Sequence, residues 1–221
     1  MRMFRSLVIA ALIGASALTA AAAQDLMTLQ RIEMARQADI NQRVAAQIDK
    51  LAADPGAPVI GNPRADTTIV EFFDYTCPYC KAVEPRLAAL VARDPHLKLV
   101  LKEYPILHPV SLVATRAALA SVKQGKYKPF HQAMMRFEGQ LTDADVFDMA
   151  KAAGLDMARL KRDMVAPDVS DQIISVFNQA RAIRIFQTPA FIVAGPRGAH
   201  ILGSESASLD FAREVAVARG R

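Results

Sequence analysis

Two cysteines, Cys77 and Cys80, stand three positions apart in the stretch FFDYTCPYCKAVEPRL, residues 72–87, and the chain has no others. A sulfur pair at this spacing can staple a fold, hold a metal or exchange electrons. A staple is a poor use of it. The closed loop would hold only Pro78 and Tyr79, and so short a closure removes little freedom from the unfolded chain. A structural zinc site takes four ligands, often from two such pairs. Here one pair is accompanied by four scattered histidines, His96, His108, His131 and His200. Redox exchange fits the pair best, with thiol metal binding as its alternative.

The N-terminus sets the compartment. Arg2 and Arg5 precede an apolar run over residues 7–18, and small residues ending Ala21-Ala22-Ala23 lead to Gln24. Charge, a short apolar segment and an A-x-A site together read as a secretory leader cut after Ala23, with an uncleaved anchor as the alternative. The run is shorter than the ~20 residues that span a bilayer. Such a leader predicts a periplasmic protein, in a compartment where disulfides persist. Without residues 1–23 the chain keeps 198 residues, a length suited to one decorated domain, and a net charge of +3 once Arg2 and Arg5 leave. That excess is spread thinly, with no basic block interleaved with aromatics, so nucleic acid is not an expected partner.

The pair needs elements to hold it. Residues 67–75 are rich in Thr, Ile, Val and Phe and read as a buried strand. Pro78 sits where a helix starts, since its missing N–H costs nothing there. The helix continues over 79–93 with Pro85 as a kink, and residues 97–104, LKLVLKEY, read as a second strand. The cysteines therefore lie at a strand-to-helix turn inside a β-α-β pattern, the setting of a thioredoxin-like redox motif. Residues 111–185 are helical in pattern, at about 111–124, 127–138, 143–153, 156–165 and 169–185, with Thr142 as an N-cap. Two strands about Gly195-Pro196-Arg197-Gly198 form a hairpin, and a terminal helix begins at Ser208. The class is α/β, a sheet with an all-helical insertion.

Ahead of all this, residues 24–53 read as an amphipathic helix with Leu29, Ile32, Ile40, Val44, Ile48 and Leu51 on its stripe. The helix could pack on the domain or join copies of the chain, although its heptads are imperfect. The predicted organisation is a signal peptide over 1–23, this helix over 24–53, a loop over 54–66, a first half-domain over 67–110, the insertion over 111–185 and a second half-domain over 186–221.

The chemistry follows from the turn. Disulfides exchange through a thiolate, and Cys77 precedes the N-terminus of a helix, where unpaired N–H groups and the positive dipole end favour an anion. Cys77 is predicted to be the exposed, low-pKa nucleophile. Cys80, one turn on and facing inward, is the resolving thiol. Pro78 and Tyr79 tune the leaving ability of Cys77, and Tyr79 adds no cation, so the thiolate should be less stabilised than beside a histidine. Pro189 after Thr188 opens the third strand. A cis bond there would bring an extended edge beside the cysteines for a substrate peptide, while an ordinary trans proline is the simpler alternative. Glu71, amid IVEFF, is either exposed on an edge strand or a buried proton acceptor balanced by Lys102. Phe73 and Tyr75 could shape an apolar rim near the pair, although alternating strand burial accounts for at least one of them; Met134 and Met135 are read as helical core, and His108 and His131 as lone surface or loop histidines.

The segments VEFFDYTCPYCK and QTPAFIV, with a helical stretch between, resemble the DsbA family of periplasmic thiol–disulfide oxidoreductases, and DPGAPVIGNPRADTTIVEFFDY looks most like its ScsC-like and Com1-like branch. The resemblance covers about residues 54–219. It implies a thioredoxin fold with an inserted helical domain, Cys77 as nucleophile, Cys80 as resolving thiol, Pro189 as a cis proline preceded by Thr188, and Glu71 as the buried acid. It implies no cofactor beyond the Cys77–Cys80 disulfide itself. Its expected partners are unfolded or misoxidised secreted proteins and an inner-membrane redox protein, with oxidase and oligomeric isomerase as alternative directions. A homo-oligomer would form through residues 25–53. A glutaredoxin-like enzyme shares the CPYC motif but not the leader or the insertion.

Overall fold

The computed structural model describes residues 2–202 and 209–221, with side chains from Ala22 onward. The leader's side chains and the Ser208 start of the terminal helix therefore lie outside the described residues. The chain divides into two compact units, residues 1–42 and 43–221. Helix α1 is Arg2–Ala52. In the first unit Leu29 and Ile32 are exposed, at 65% and 59%. In the second, Val44 and Leu51 are buried. Their seven-residue spacing places both on one face of the helix.

The rest of the second unit is a five-stranded sheet with helices. The strands are β1 (Val59–Gly61), β2 (Thr67–Phe73), β3 (Leu97–Glu103), β4 (Ala190–Gly195) and β5 (Gly198–Ile201), in the order β1-β3-β2-β4-β5. Strand β1 lies inside the 54–66 stretch expected to be a loop. It pairs antiparallel with β3, giving the free edge of β3 backbone partners between the flanking Pro58 and Pro63. Helix α2 (Pro78–Arg93) crosses from β2 to β3 and makes them parallel. Helices α3 (Pro109–Val122), α4 (Tyr127–Arg136), α5 (Asp143–Ala152), α6 (Met157–Asp163) and α7 (Pro167–Ala182) then stand between β3 and β4. Thr142 caps α5, accepting the Asp145 N–H. The hairpin β4–β5 and helix α8 (Phe211–Arg219) close the unit. At Gly195 a Cβ would meet the Ala218 carbonyl oxygen at 2.6 Å, so α8 packs closely on β4 only because no side chain intervenes. This is a thioredoxin fold with an N-terminal helix and a helical insertion.

All seven residues of β2 are buried, because the strand is central and covered on both faces. The two faces carry different chemistry. Ile69, Phe73, Leu99, Leu101, Phe191 and Val193 join the core cluster that also contains Cys77 and Cys80. The register sets Glu71 between Leu101 and Phe191, on that same face. Lys102 is in register with Phe72 and so projects to the other face.

Candidate active site

Three facts of sequence build the turn. Strand β2 ends at Phe73, Pro78 supplies the first residue of α2, and Cys77 is the N-cap with φ −76° and ψ 117°. No side chain caps this helix. An ordinary cap oxygen would occupy the place where the sulfur sits, so the first amides of α2 are left for the sulfur itself. Those of Tyr79 and Cys80 face it and favour its anion.

The two thiols differ sharply. Cys77 is lowered to about 6, chiefly by the hydrogen bond from the Cys80 thiol, against burial, with the Cys80 and Tyr79 amides adding to the effect. Cys80 is raised far above the ordinary thiol value by burial first, then by its bond to Cys77 and the charge of Glu71. One sulfur is thus prepared to be an anion and the other to remain protonated.

The predicted exposure of Cys77 is not found: the residue is only 2% exposed. The chain before β4 covers it, with Cys77 Sγ 3.4 Å from the Thr188 carbonyl oxygen, to which the thiol donates. The Thr188–Pro189 bond is cis, as the family resemblance implied and the simple reading of the residues did not. Thr188 Oγ1 is buried without a hydrogen-bond partner. Tyr79 stands at the tip of the turn, 63% exposed.

Glu71 is buried at 2% exposure, which removes the edge-strand alternative, and its Oε1 has no hydrogen-bond partner. Burial, then the charges of Glu84, Cys77 and Glu103, raise it to about 8. Lys102 is not its counter-charge. Because Lys102 lies on the opposite face of the sheet, it pairs with Asp54 at 2.7 Å, and Gln172 and Gln179 donate to the same carboxylate at 3.1 and 2.9 Å. Burial pushes Asp54 up, but these hydrogen bonds and the Lys102 charge hold it below the usual carboxylate range.

Several residues around the pair escaped the sequence reading. Glu103 is in register with Phe73 and buried on the cysteine face. Tyr75 and Tyr127 donate to its Oε1 at 2.8 and 2.9 Å, and Thr115 donates to its Oε2 at 3.1 Å. Burial raises Glu103 to about 8, with those three donors opposing. His131, expected on the surface, is 1% exposed on α4 and stacks on Tyr127. Its Nδ1 lies 3.0 Å from the Tyr75 hydroxyl, and burial lowers it to about 3, leaving a neutral ring. The position of His131 four residues after Tyr127 on one helical face was the legible signal. Phe73 and Tyr75 are fully buried and form core, not rim, whereas Met134 and Met135 are core as expected. Glu84, one turn beyond Cys80, is buried and raised by burial, with Arg136 opposing.

The class that fold and site define is a thioredoxin-fold protein with a cysteine pair at the N-terminus of a helix. Residues 53–207 match the family model described as Thioredoxin, and the chain belongs to that family. A thioredoxin-like oxidoreductase from Silicibacter pomeroyi DSS-3 is 41% identical, covering 75% of this chain and 97% of that one, with a TM-score of 0.66. Proteus mirabilis ScsC in a transitional conformation is 25% identical over 98% of this chain and 94% of its own, TM-score 0.69. The thiol-disulfide exchange protein alpha-DsbA2 from Wolbachia pipientis, 24% identical, shares the fold over 83% of this chain and 97% of its own, TM-score 0.71. The Na(+)/H(+) antiporter NhaA 1 of Salinispora arenicola is 30% identical over 147 residues, 65% of this chain but 22% of that protein. The chain thus spans about a fifth of such curated relatives, and antiport is a statement about those longer proteins. Among the described residues no helix is long and apolar enough to cross a membrane.

Proposed function

We propose that this protein works in the periplasm, after loss of a leader cut behind Ala23, and passes disulfides to secreted polypeptides through Cys77-Pro78-Tyr79-Cys80. The observation that carries this reading is the asymmetry of the pair. With Cys77 at about 6, roughly nine-tenths of it is thiolate at pH 7 in the reduced protein. Stabilising that thiolate stabilises the reduced state, which makes the disulfide a better oxidant.

The exchange begins when a substrate thiolate attacks Sγ of Cys77 in the oxidised pair. The Cys77–Cys80 bond breaks and its electrons leave on Cys80, which takes a proton. Glu71, protonated at neutral pH and electrostatically coupled to Cys80, is suited to supply it. A second substrate thiolate then attacks the substrate sulfur of the mixed disulfide, and Cys77 departs as the stabilised anion. The substrate has gained a disulfide and the protein two electrons. In reverse, the ionised minority of Glu71 takes the Cys80 proton, and Cys80 then attacks the Cys77 sulfur of the mixed disulfide and frees the partner thiolate. Thr188 and Pro189 offer the edge against which an extended substrate pairs. No cofactor beyond the cysteine pair is required, and an inner-membrane redox protein would recharge it.

One observation favours oligomeric isomerisation as a second reading. On α1 the apolar Leu26, Met27, Leu29, Ile32 and Met34 are 58% to 65% exposed, and Leu29 and Ile32 share one face suited to joining copies of the chain. Trapping thiols in living cells separates the two. A mostly oxidised pair supports donation, a mostly reduced pair supports isomerisation, and a Cys77→Ser variant that still oxidises a reduced unfolded substrate would overturn both.

A further inference from the structure

The residue that orients the redox turn stands three positions before the nucleophile. Asp74 is 1% exposed, and its carboxylate collects five donors. Oδ1 accepts the Thr76 N–H at 2.8 Å, the Thr76 hydroxyl at 2.8 Å and the Ser111 hydroxyl at 2.7 Å. Oδ2 accepts the N–H groups of Ile106 at 2.9 Å and Leu107 at 3.0 Å. The Asp74 main-chain carbonyl accepts the Cys77 N–H at 3.0 Å. The donors come from the turn itself, from the loop after β3 and from the first turn of α3.

A carboxylate is the group of this size that accepts on both oxygens. Asparagine cannot fully replace it: with its NH₂ in the place of Oδ2 the Ile106 and Leu107 N–H bonds are lost, and in the place of Oδ1 the Thr76 N–H bond is lost, since only the two hydroxyls there can turn and accept. Burying the charge is expensive unless it is fully hydrogen-bonded, as it is here. The helix needs such an outside anchor because its own cap position is taken by the thiol, which makes no capping bond.

We propose that Asp74 is the positioning residue of the redox turn: its carboxylate clamps Thr76 to the β3–α3 loop, its main-chain carbonyl holds the Cys77 N–H, and together they keep the first amides of α2 aimed at the Cys77 sulfur. The inference rests on the reading of Cys77 as the nucleophile. It separates cleanly from a mere charge effect. A negative carboxylate close to a thiol opposes ionisation, so by charge alone its removal would lower the Cys77 pKa. By positioning, its removal raises it.

The test uses the reduced full chain, following Cys77 by thiolate ultraviolet absorbance against pH and by alkylation mapped by mass. Asp74→Asn is expected to raise the Cys77 pKa by about one unit, which slows alkylation about ten-fold at pH 5. Ser111→Ala leaves the carboxylate and removes one of its donors, and should move both readouts the same way by a smaller factor, about two-fold. Ser111→Ala decides the matter if Asp74→Asn does not fold. A Cys77 pKa that falls or stays fixed in the folded variants overturns the proposal. Neither readout requires disulfide transfer, so a protein inactive in transfer would sink the proposed function without touching this result.

Discussion

Replacing Glu71 by glutamine should make the protein more stable than the wild type by an amount that grows with pH. Its carboxyl moves from an ordinary 4.5 to about 8 on folding, chiefly through burial. Above pH 4.5 the unfolded chain releases this proton while the folded chain keeps it. The folded state then binds more protons than the unfolded, so stability falls as pH rises, by about 1.4 kcal/mol per unit, until the folded carboxyl ionises near pH 8. The accumulated loss is about 3 kcal/mol at pH 7 and about 5 kcal/mol above pH 8. A glutamine does not titrate. Its buried amide carries a penalty of its own, but one independent of pH. The stability difference between Glu71→Gln and wild type should therefore grow by about 2–3 kcal/mol from pH 5 to pH 7, an amount equal to about 1 M in urea midpoint. Urea unfolding of both proteins, kept reduced and followed by far-ultraviolet circular dichroism because the chain has no tryptophan, gives this directly. A difference that stays level between pH 5 and pH 7 would refute the reasoning and place the Glu71 carboxyl in contact with solvent or a cation.

The rate of Cys77 alkylation in the reduced protein should rise ten-fold per pH unit below about pH 6 and level off above it; a midpoint near the ordinary 9 would remove the account of the thiolate as held by the Cys80 thiol and the first amides of α2. Asp54→Ala strands Lys102 on the far face of the sheet, uncharged by any neighbour among its present contacts, and should cost about 3–5 kcal/mol in thermal or chemical unfolding, whereas Asp54→Leu combined with Lys102→Met should recover most of that loss. Tyr75→Phe deletes a donor to Glu103 and the partner of His131 Nδ1, with an expected loss of about 1–3 kcal/mol in unfolding free energy. Paired Leu29→Glu and Ile32→Glu substitutions should lower the solution mass if α1 joins copies of the chain, and a mass unchanged by them assigns that stripe another role.

The amino-acid sequence by itself determined the pair, its strand-to-helix setting and the order of the elements that follow residue 66, but not the short strand β1 before them. These are local properties. Pro78 opens a helix wherever it stands, β-branched runs extend, and a two-residue sulfur loop is too small to staple anything. Alternation along a strand puts Glu71 on the face opposite Val70 and Phe72. What alternation could not supply was the register of β3 against β2. A shift of one residue exchanges the faces, and the register found sends Lys102 away from Glu71 and brings Glu103 to the cysteine side. The partner of Lys102 comes from position 54, the further donors to Asp54 from 172 and 179, and the donors to Asp74 from 76, 106, 107 and 111. Only tertiary structure decides such meetings, because a buried charge is satisfied by whatever the fold brings within hydrogen-bond reach, at any distance along the chain. The covering of Cys77 by Thr188 is of the same kind: a residue 111 positions away sets how much of the sulfur meets water.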